Sequence, residues 1–257
     1  MITAVNPLRP ALAIVALGML AACTDGTAQT PSSPSTSATA ETALSAATAG
    51  LATGNYHFTM SSPRRKTDGL LHQPSNSSKE TIALDRKVFH RVRVGWDEYV
   101  RTDASGWQHT DYTRLPAKRR PSSLREQPDR TGATALLAAA RDVTVDGSTM
   151  TGHIDGTHLP SSLVPSGTPG GLLGKAPFTA RLDDQGRLVH FVLKIPARKD
   201  DPVRPAATWT LTIDGYGRSP AQQAPAKFEE LPDDTYEHLY SPSHPLPTDL
   251  DDLMAPS

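Results

Sequence analysis

The chain has 257 residues and a formal net charge of -1, a balance that lacks the basic excess of a nucleic-acid-binding protein. Hydrophobic residues make up 37% and aromatics 5%, too lean for a thick core but suited to a sheet with one solvated face, where only alternate residues need be apolar. A single cysteine excludes an intramolecular disulfide and any multi-cysteine metal site.

Arg9 precedes an apolar run from Ala11 to Leu20, and the run ends in Leu20-Ala21-Ala22-Cys23. A basic residue, a short apolar stretch and small residues before a cut are the parts of a signal peptide. Spanning a bilayer takes about 20 apolar residues, more than this run supplies. The pattern reads as a lipobox. Residues 1–22 are the expected signal peptide, with cleavage after Ala22 and a diacylglyceryl thioether on Cys23. The alternatives are a buried apolar cysteine or ordinary cleavage that leaves a free thiol. Two acyl chains give stable anchoring, so the expected partner is a membrane. The expected address is the outer leaflet of the cytoplasmic membrane, on its extracytoplasmic side. Without residues 1–22, whose only charged side chain is Arg9, the charge is -2.

Residues 24–40 are Ser, Thr, Pro and Ala with almost no bulky apolar side chain, and such a segment cannot offset its ordering entropy. Residues 23–40 are therefore expected to form a lipidated tether with a reach of roughly 20–25 Å. The expected single domain covers residues 41–240, followed by an acidic, Pro-rich tail at 241–257. Glu41 to Leu51 suits a short helix, with Gly50 near its end. Strands follow, since 23 prolines and 18 glycines imply many turns. Asn55–Met60 alternates Tyr, Phe and Met against His and Thr. Gly69–His72 and Lys79–Leu84 continue the pattern, the latter with Ile82 and Leu84 on one face. Lys87–Val94 sets Val88, Val92 and Val94 opposite Arg91 and Arg93. Trp96–Arg101 and Trp107–Tyr112 close an antiparallel meander.

Arg64-Arg65-Lys66 falls in an expected turn, and a basic Pro-rich loop runs from Arg114 to Arg130 with Lys118, Arg119, Arg120 and Arg125. These clusters either meet anionic headgroups or are solvated loops balanced by Asp111, Glu126 and Asp129; the second reading is preferred. Ala133–Arg141 is an expected helix with Leu136, Leu137 and Ala140 on one side. Val143–Val145 and Ser148–Ile154 flank an Asp146-Gly147 turn. Phe178–Leu182 and Leu188–Ile195 flank Asp184-Gln185-Gly186, with Val189, Phe191, Leu193 and Ile195 sharing a face. Thr208–Ile213 is the last strand, with Trp209, Leu211 and Ile213 facing in; beyond Tyr216 only a turn near Asp233–Tyr240 is expected.

Chemical motifs are missing from the sequence. There is no Gly-x-Ser-x-Gly elbow and no Ser-x-x-Lys; Gly170-Gly171-Leu172-Leu173-Gly174-Lys175 lacks the spacing and hydroxyl of a phosphate loop. His153 and His158 flank Asp155 without metal-ligand convergence. Asp249, Asp251 and Asp252 lack the spacing and central glycine of a calcium loop. The expectation is no catalytic residue, no metal and no cofactor. The small helix residues Ala135, Ala138 and Ala139 either leave room for an acyl chain against the sheet, in a pocket lined by Leu136, Leu137, Ala140, Leu172, Leu173, Val189, Phe191, Leu193, Trp209 and Leu211, or allow the helix to pack tightly on it.

The order of elements is informative: an Ala-rich helix, a long meander and a second helix precede Gly152, Gly156 and Pro160 in Thr151–Pro160. Pro177–Leu188 and Asp214-Gly215-Tyr216-Gly217 follow. Over residues 41 to 240 this order resembles the actinobacterial envelope lipoproteins of the LppX/LprG type, whose fold is similar to that of LolA. The resemblance implies an α+β fold, a curved antiparallel sheet or half-barrel with a few helices on its concave face. It also implies a lipid or other apolar ligand carried between sheet and helices without chemistry. The alternative is an envelope interaction or accessory module with a filled core and no ligand.

Overall fold

The computed structural model describes residues 36–117, 120, 129–156, 174–197, 205–233 and 235–236, all within one compact unit. Cys23, Ala22, Leu172, Leu173, Lys118, Arg119, Arg125, His158 and the expected tail at 241–257 lie outside the described residues. Eleven strands form one antiparallel sheet, joined at one edge by a short parallel strand. The strands are β1 (Asn55–Ser61), β2 (Arg65–His72), β3 (Ser77–Leu84), β4 (Lys87–Val94), β5 (Asp97–Thr102) and β6 (Gln108–Asp111), then β7 (Ala140–Asp146), β8 (Thr149–Asp155), β9 (Lys175–Leu182), β10 (Leu188–Ile195), β11 (Ala207–Asp214) and β12 (Glu229–Glu230). Their spatial order is β12-β6-β5-β4-β3-β2-β1-β11-β10-β9-β8-β7. Two sequential meanders, β1–β6 and β7–β11, are thus fused through the pairing of β1 with β11. The architecture is the expected α+β class, a wide curved antiparallel sheet with helices on one face.

The turns follow from local chemistry. Asp183 folds the β9–β10 connection by accepting from the backbone N–H of Gln185 (3.0 Å) and Arg187 (2.8 Å), as short carboxylates do in turns. Arg65 and Lys66, expected in a turn, instead open β2. The turn ends at Arg64, which donates to Asp85 across the β3–β4 corner (Nη2, 2.6 Å).

Helix α1 (Thr36–Ala52) starts ahead of the expected Glu41. Its buried positions Ala40, Ala47, Gly50 and Leu51, with Ala43 and Leu44 half-buried, recur at helical spacing. Small residues on that stripe bring the helix close to β7, β10 and helix α2 (Ala133–Ala138). Among the described residues no helix is long and apolar enough to cross a membrane.

Helix α2 is shorter than the expected Ala133–Arg141. Ala139 N–H closes its last turn onto Ala135 and Leu136, and Ala140 then pairs with Ile154 as the first residue of β7. Six residues hold little helix on their own, so the strand pairing prevails there. A second correction concerns β10. An irregularity between Leu188 and His190 inserts Val189 as an extra residue, which puts Leu188 rather than Val189 in phase with Phe191, Leu193 and Ile195. Leu188 is fully buried; Val189 is half-buried and stands apart from the core cluster.

Both sheet edges are covered, as unpaired edges invite aggregation. Helix α1 packs along β7. At the other edge, the segment after β11 crosses the ends of the strands. Ser219 N–H donates to Asn55 Oδ1 (2.9 Å), Gln222 N–H donates to Ser77 Oγ (2.9 Å) and β12 pairs with β6. Phe228 lies edge-on to Tyr99 and His109. Tyr236, fully buried, accepts from Asp111 N–H (2.8 Å) and stacks under Arg114 (3.8 Å). Only a turn near Asp233 was expected in this arm.

Candidate ligand-binding face

The strand registers assign one row after another to the helix-bearing face. One row runs Ile213, Phe58, Gly69, Glu80, Arg91, Val100; the next runs Tyr56, Leu71, Ser78, Arg93, Glu98. The face is therefore apolar in the half built from β1 and β7–β11, and turns charged at β3–β5.

In the apolar half the structure brings most of the expected lining residues together. Leu136, Leu137, Phe191, Leu193, Trp209 and Leu211 are all at most 2% exposed and belong to one cluster with Tyr56, Phe58 and Phe178. Ala140 joins the cluster from β7. Phe178 stacks on Phe191 at 5.2 Å, and Phe191 meets Trp209 edge-on at 5.9 Å, geometries that aromatic pairs favour. Two glycines make room for rings from the neighbouring strand. A Cβ on Gly69 would lie 2.4 Å from Phe58 Cζ, and one on Gly152 would lie 3.0 Å from Phe178 Cε1. At the ends of β9–β11 a shallow open depression of about 320 Å3 is lined by Pro177, Lys194, Ile195, Pro196, Ala206, Ala207 and Thr208. A crevice of about 10 Å3 beside Met60, Thr67 and Trp209 has room for about one water.

The charged half was not anticipated as a site. Arg91 pairs with Glu80, and Arg93 with Glu98; all four side chains are nearly buried. Tyr112, in a 3-10 turn after β6, donates to Glu98 Oε1 (3.1 Å). Burial works to raise the carboxyl of Glu80, yet the guanidinium groups of Arg91, Arg130 and Arg93 outweigh it and hold it at about 2. Glu98 is likewise lowered against its burial, by Arg93, Arg91 and the hydrogen bond from Tyr112. Arg130 is driven the other way: burial and the neighbouring Arg93 and Arg91 bring it down to about 9. One signal in the sequence marks this cluster. Arg91 and Arg93 stand in phase with Phe89, as Glu80 does with Ile82, so charges occupy positions of the core face.

Asp129 links the two halves. Its carboxylate accepts from Thr131 N–H (2.8 Å), Thr131 Oγ1 (2.5 Å) and Thr134 N–H (2.6 Å) at the start of α2, and from Tyr56 Oη (3.3 Å). The expected basic loop is partly described. Arg114 is engaged by Asp233, and Arg120 donates to the carbonyls of Leu115 and Thr113 while lying over Trp96. Of the expected counter-charges, Asp111 caps the 3-10 turn by accepting from Thr113 N–H (2.8 Å), and Glu126 lies outside the described residues. His153 faces Asp142 at 3.4 Å. Among the described residues no cluster of three His, Cys, Asp or Glu is placed to hold a metal ion.

On the opposite face two histidines are each held between two carboxylates. His57 sits between Asp68 and Asp214 (3.1 Å each), and His109 between Asp97 (2.9 Å) and Glu230 (2.8 Å). Burial lowers both imidazoles, but the hydrogen bonds to the carboxylates prevail and leave them raised.

No family model matches the chain, and no curated protein does. Among solved structures, a domain from Vibrio parahaemolyticus described as an outer membrane lipoprotein-sorting protein is 10% identical, over 68% of this chain and 92% of its own, with a TM-score of 0.22. The lipoprotein LppX of Mycobacterium tuberculosis is 14% identical, over 72% of this chain and 98% of its own, with a TM-score of 0.43.

Proposed function

We propose that the chain is a membrane-anchored, extracytoplasmic lipoprotein that binds a lipid or other apolar ligand on the helix-bearing face of its sheet and performs no chemistry on it. The observation that carries the reading is the width of that face. Among the described residues twelve strands at about 4.8 Å spacing span on the order of 50 Å, whereas the two described helices, of about 10 Å diameter, cover roughly 20 Å. In this reading the short α2 is the part that moves. It holds Leu136 and Leu137 against the wall of Phe191, Leu193, Trp209 and Leu211, and its displacement would open that wall to an acyl chain. The lipobox supports the anchoring, with Cys23 as attachment point and Ala22 as the last residue removed.

Native mass spectrometry of the protein purified from its own envelope tests the binding. A mass excess that organic solvent strips away supports a carrier. An unliganded mass together with no uptake of a fluorescent fatty acid refutes it. The close packing of Phe178, Phe191 and Trp209 favours, as second reading, an interaction module with a filled core. For the anchor, Cys23→Ala releases the protein from the membrane fraction; retention of the variant would refute lipidation there.

A further inference from the structure

The charged half of the helix-bearing face holds more donors than its own acceptors satisfy. Among the described residues three guanidinium groups, Arg91, Arg93 and Arg130, face two carboxylates, Glu80 and Glu98. Glu80 is engaged by Arg91, and Glu98 by Arg93 and Tyr112. Arg130 Nε and Nη1, Arg91 Nε and Ser78 Oγ are buried there without a hydrogen-bond partner. A buried polar group left unmatched costs about 1–3 kcal/mol, more when charged. The neighbouring Asp129 does not relieve Arg130, because its carboxylate is taken by Thr131, Thr134 and Tyr56. That engagement instead pins Arg130 at the entry to α2. Arg130 thereby stands where the charged cluster meets the helix that covers the apolar wall.

We propose that Arg130 and Arg91, with Ser78 beside them, form a binding site for one anionic headgroup, a phosphate or a carboxylate, on an amphiphile whose apolar part lies along the wall covered by α2. This deepens the lipid-binding reading above and rests on it. An anion with two or more oxygens accepts from both free donors of Arg130 and brings the cluster to neutrality; charge-assisted bonds of this kind are the strong ones. The low guanidinium pKa of Arg130, about 9, is what an uncompensated buried cation shows, and a bound anion restores it upward. A neutral ester offers the same chain but leaves the charge unmatched, so the site selects by headgroup.

The test measures binding to the full chain in phosphatidylcholine nanodiscs, with empty discs as the blank. Decanoic acid is compared with its methyl ester, dihexanoyl phosphatidic acid with dihexanoylglycerol, and inorganic phosphate is titrated alone. The expected result is that each acid binds at least tenfold tighter than its neutral partner, and that Arg130→Met reduces the difference below twofold. Arg130→Met also raises the melting temperature of the unliganded protein, since it removes the unmatched charge, whereas a purely structural arginine would lower it. Arg130→Lys, which keeps the charge, retains part of the preference. Equal binding of acids and esters would overturn the headgroup site and leave the lipid reading standing. Arg130-dependent binding of phosphate without either amphiphile would support the anion site, supplied by free phosphate, and overturn its lipid half. Binding of none of the probes would overturn both.

Discussion

Glu98→Gln and Arg93→Met break the same buried ion pair from opposite sides, and the cluster's charge predicts that they differ. Both side chains are nearly buried, 4% and 6% exposed, so neither partner can turn to water when the other is lost. Breaking such a pair from one side costs about 3–5 kcal/mol, a large share of the roughly 5–15 kcal/mol of a typical domain. Glu98→Gln leaves three guanidinium groups facing Glu80 alone. Arg93→Met strands Glu98 but keeps the hydrogen bond from Tyr112, and it removes a repulsive neighbour of Arg130. Its cost is therefore smaller, by up to about 4 kcal/mol, the size of one like-charge contact at about 4 Å and an effective dielectric near 20. Urea unfolding at pH 7 reads both values through the fluorescence of Trp96, Trp107 and Trp209. The acid limb adds a signed check. The Glu98 carboxyl is depressed on folding, so its contribution is complete above the unfolded value near 4.3 and is lost as pH falls through the folded value. The deficit of Glu98→Gln should accordingly shrink on acidification. An Arg93→Met protein as unstable as Glu98→Gln, or a deficit that does not depend on pH, would refute a cluster with excess positive charge.

Three further outcomes follow from the geometry. Gly69→Ala forces the ring of Phe58 aside and destabilises by about 1–3 kcal/mol; the double variant with Phe58→Leu recovers part of that loss in thermal melts, and no recovery would mean that the ring is not the obstacle. Asp129→Ala removes the acceptor at the start of α2 and the partner of Tyr56, and costs about 1–2 kcal/mol, with faster amide exchange at Ala133–Ala138 but not at β10; uniform exchange would contradict a local role. His57 and His109 have raised values in the folded state, so they add stability that is complete below about 6.5 and is lost as pH rises through the folded values. NMR titration should find both imidazoles above their free value, and His109→Gln should flatten that loss; an imidazole at or below its free value would contradict the carboxylate brackets.

Legibility in the sequence followed the physics of each element. The β9–β10 hairpin was readable because alternation and turn chemistry agree there, down to the face shared by Phe191, Leu193 and Ile195. Val189 was misplaced because a single inserted residue shifts phase without any compositional mark. Ala140 was drawn into the helix since alanine favours helices, and only the distant pairing with Ile154 draws it into β7. Helix α1 begins at Thr36 in a Ser/Thr/Ala stretch that reads locally as tether. The arm after β11 was unreadable for a related reason: its bonds to Asn55, Ser77 and His109 are long-range, and no local periodicity announces them. The charged cluster lay in view as Arg91 and Arg93 beside Phe89. The alternation of Val88, Val92 and Val94 with Arg91 and Arg93 carries no local mark that the arginine side is the one the chain covers.

That inversion shapes what a ligand on this face would experience. Each methylene moved from water to an apolar wall contributes about 0.8 kcal/mol, so a chain of about eight buried methylenes supplies roughly 6 kcal/mol. Lifting α2 exposes Leu136 and Leu137, at about 1.5–3 kcal/mol each, and consumes much of that gain. Chain burial alone then leaves weak binding with little choice among lipids. An anionic group at Arg130 acts at the same helix end and adds a charge-assisted interaction that a neutral lipid lacks. Asp129 ties the start of α2 to Tyr56, so Arg130 of the headgroup site and the lid α2 belong to one short segment. The apolar wall would thus set whether a lipid is held, while Arg130 would set which lipid repays the opening of α2.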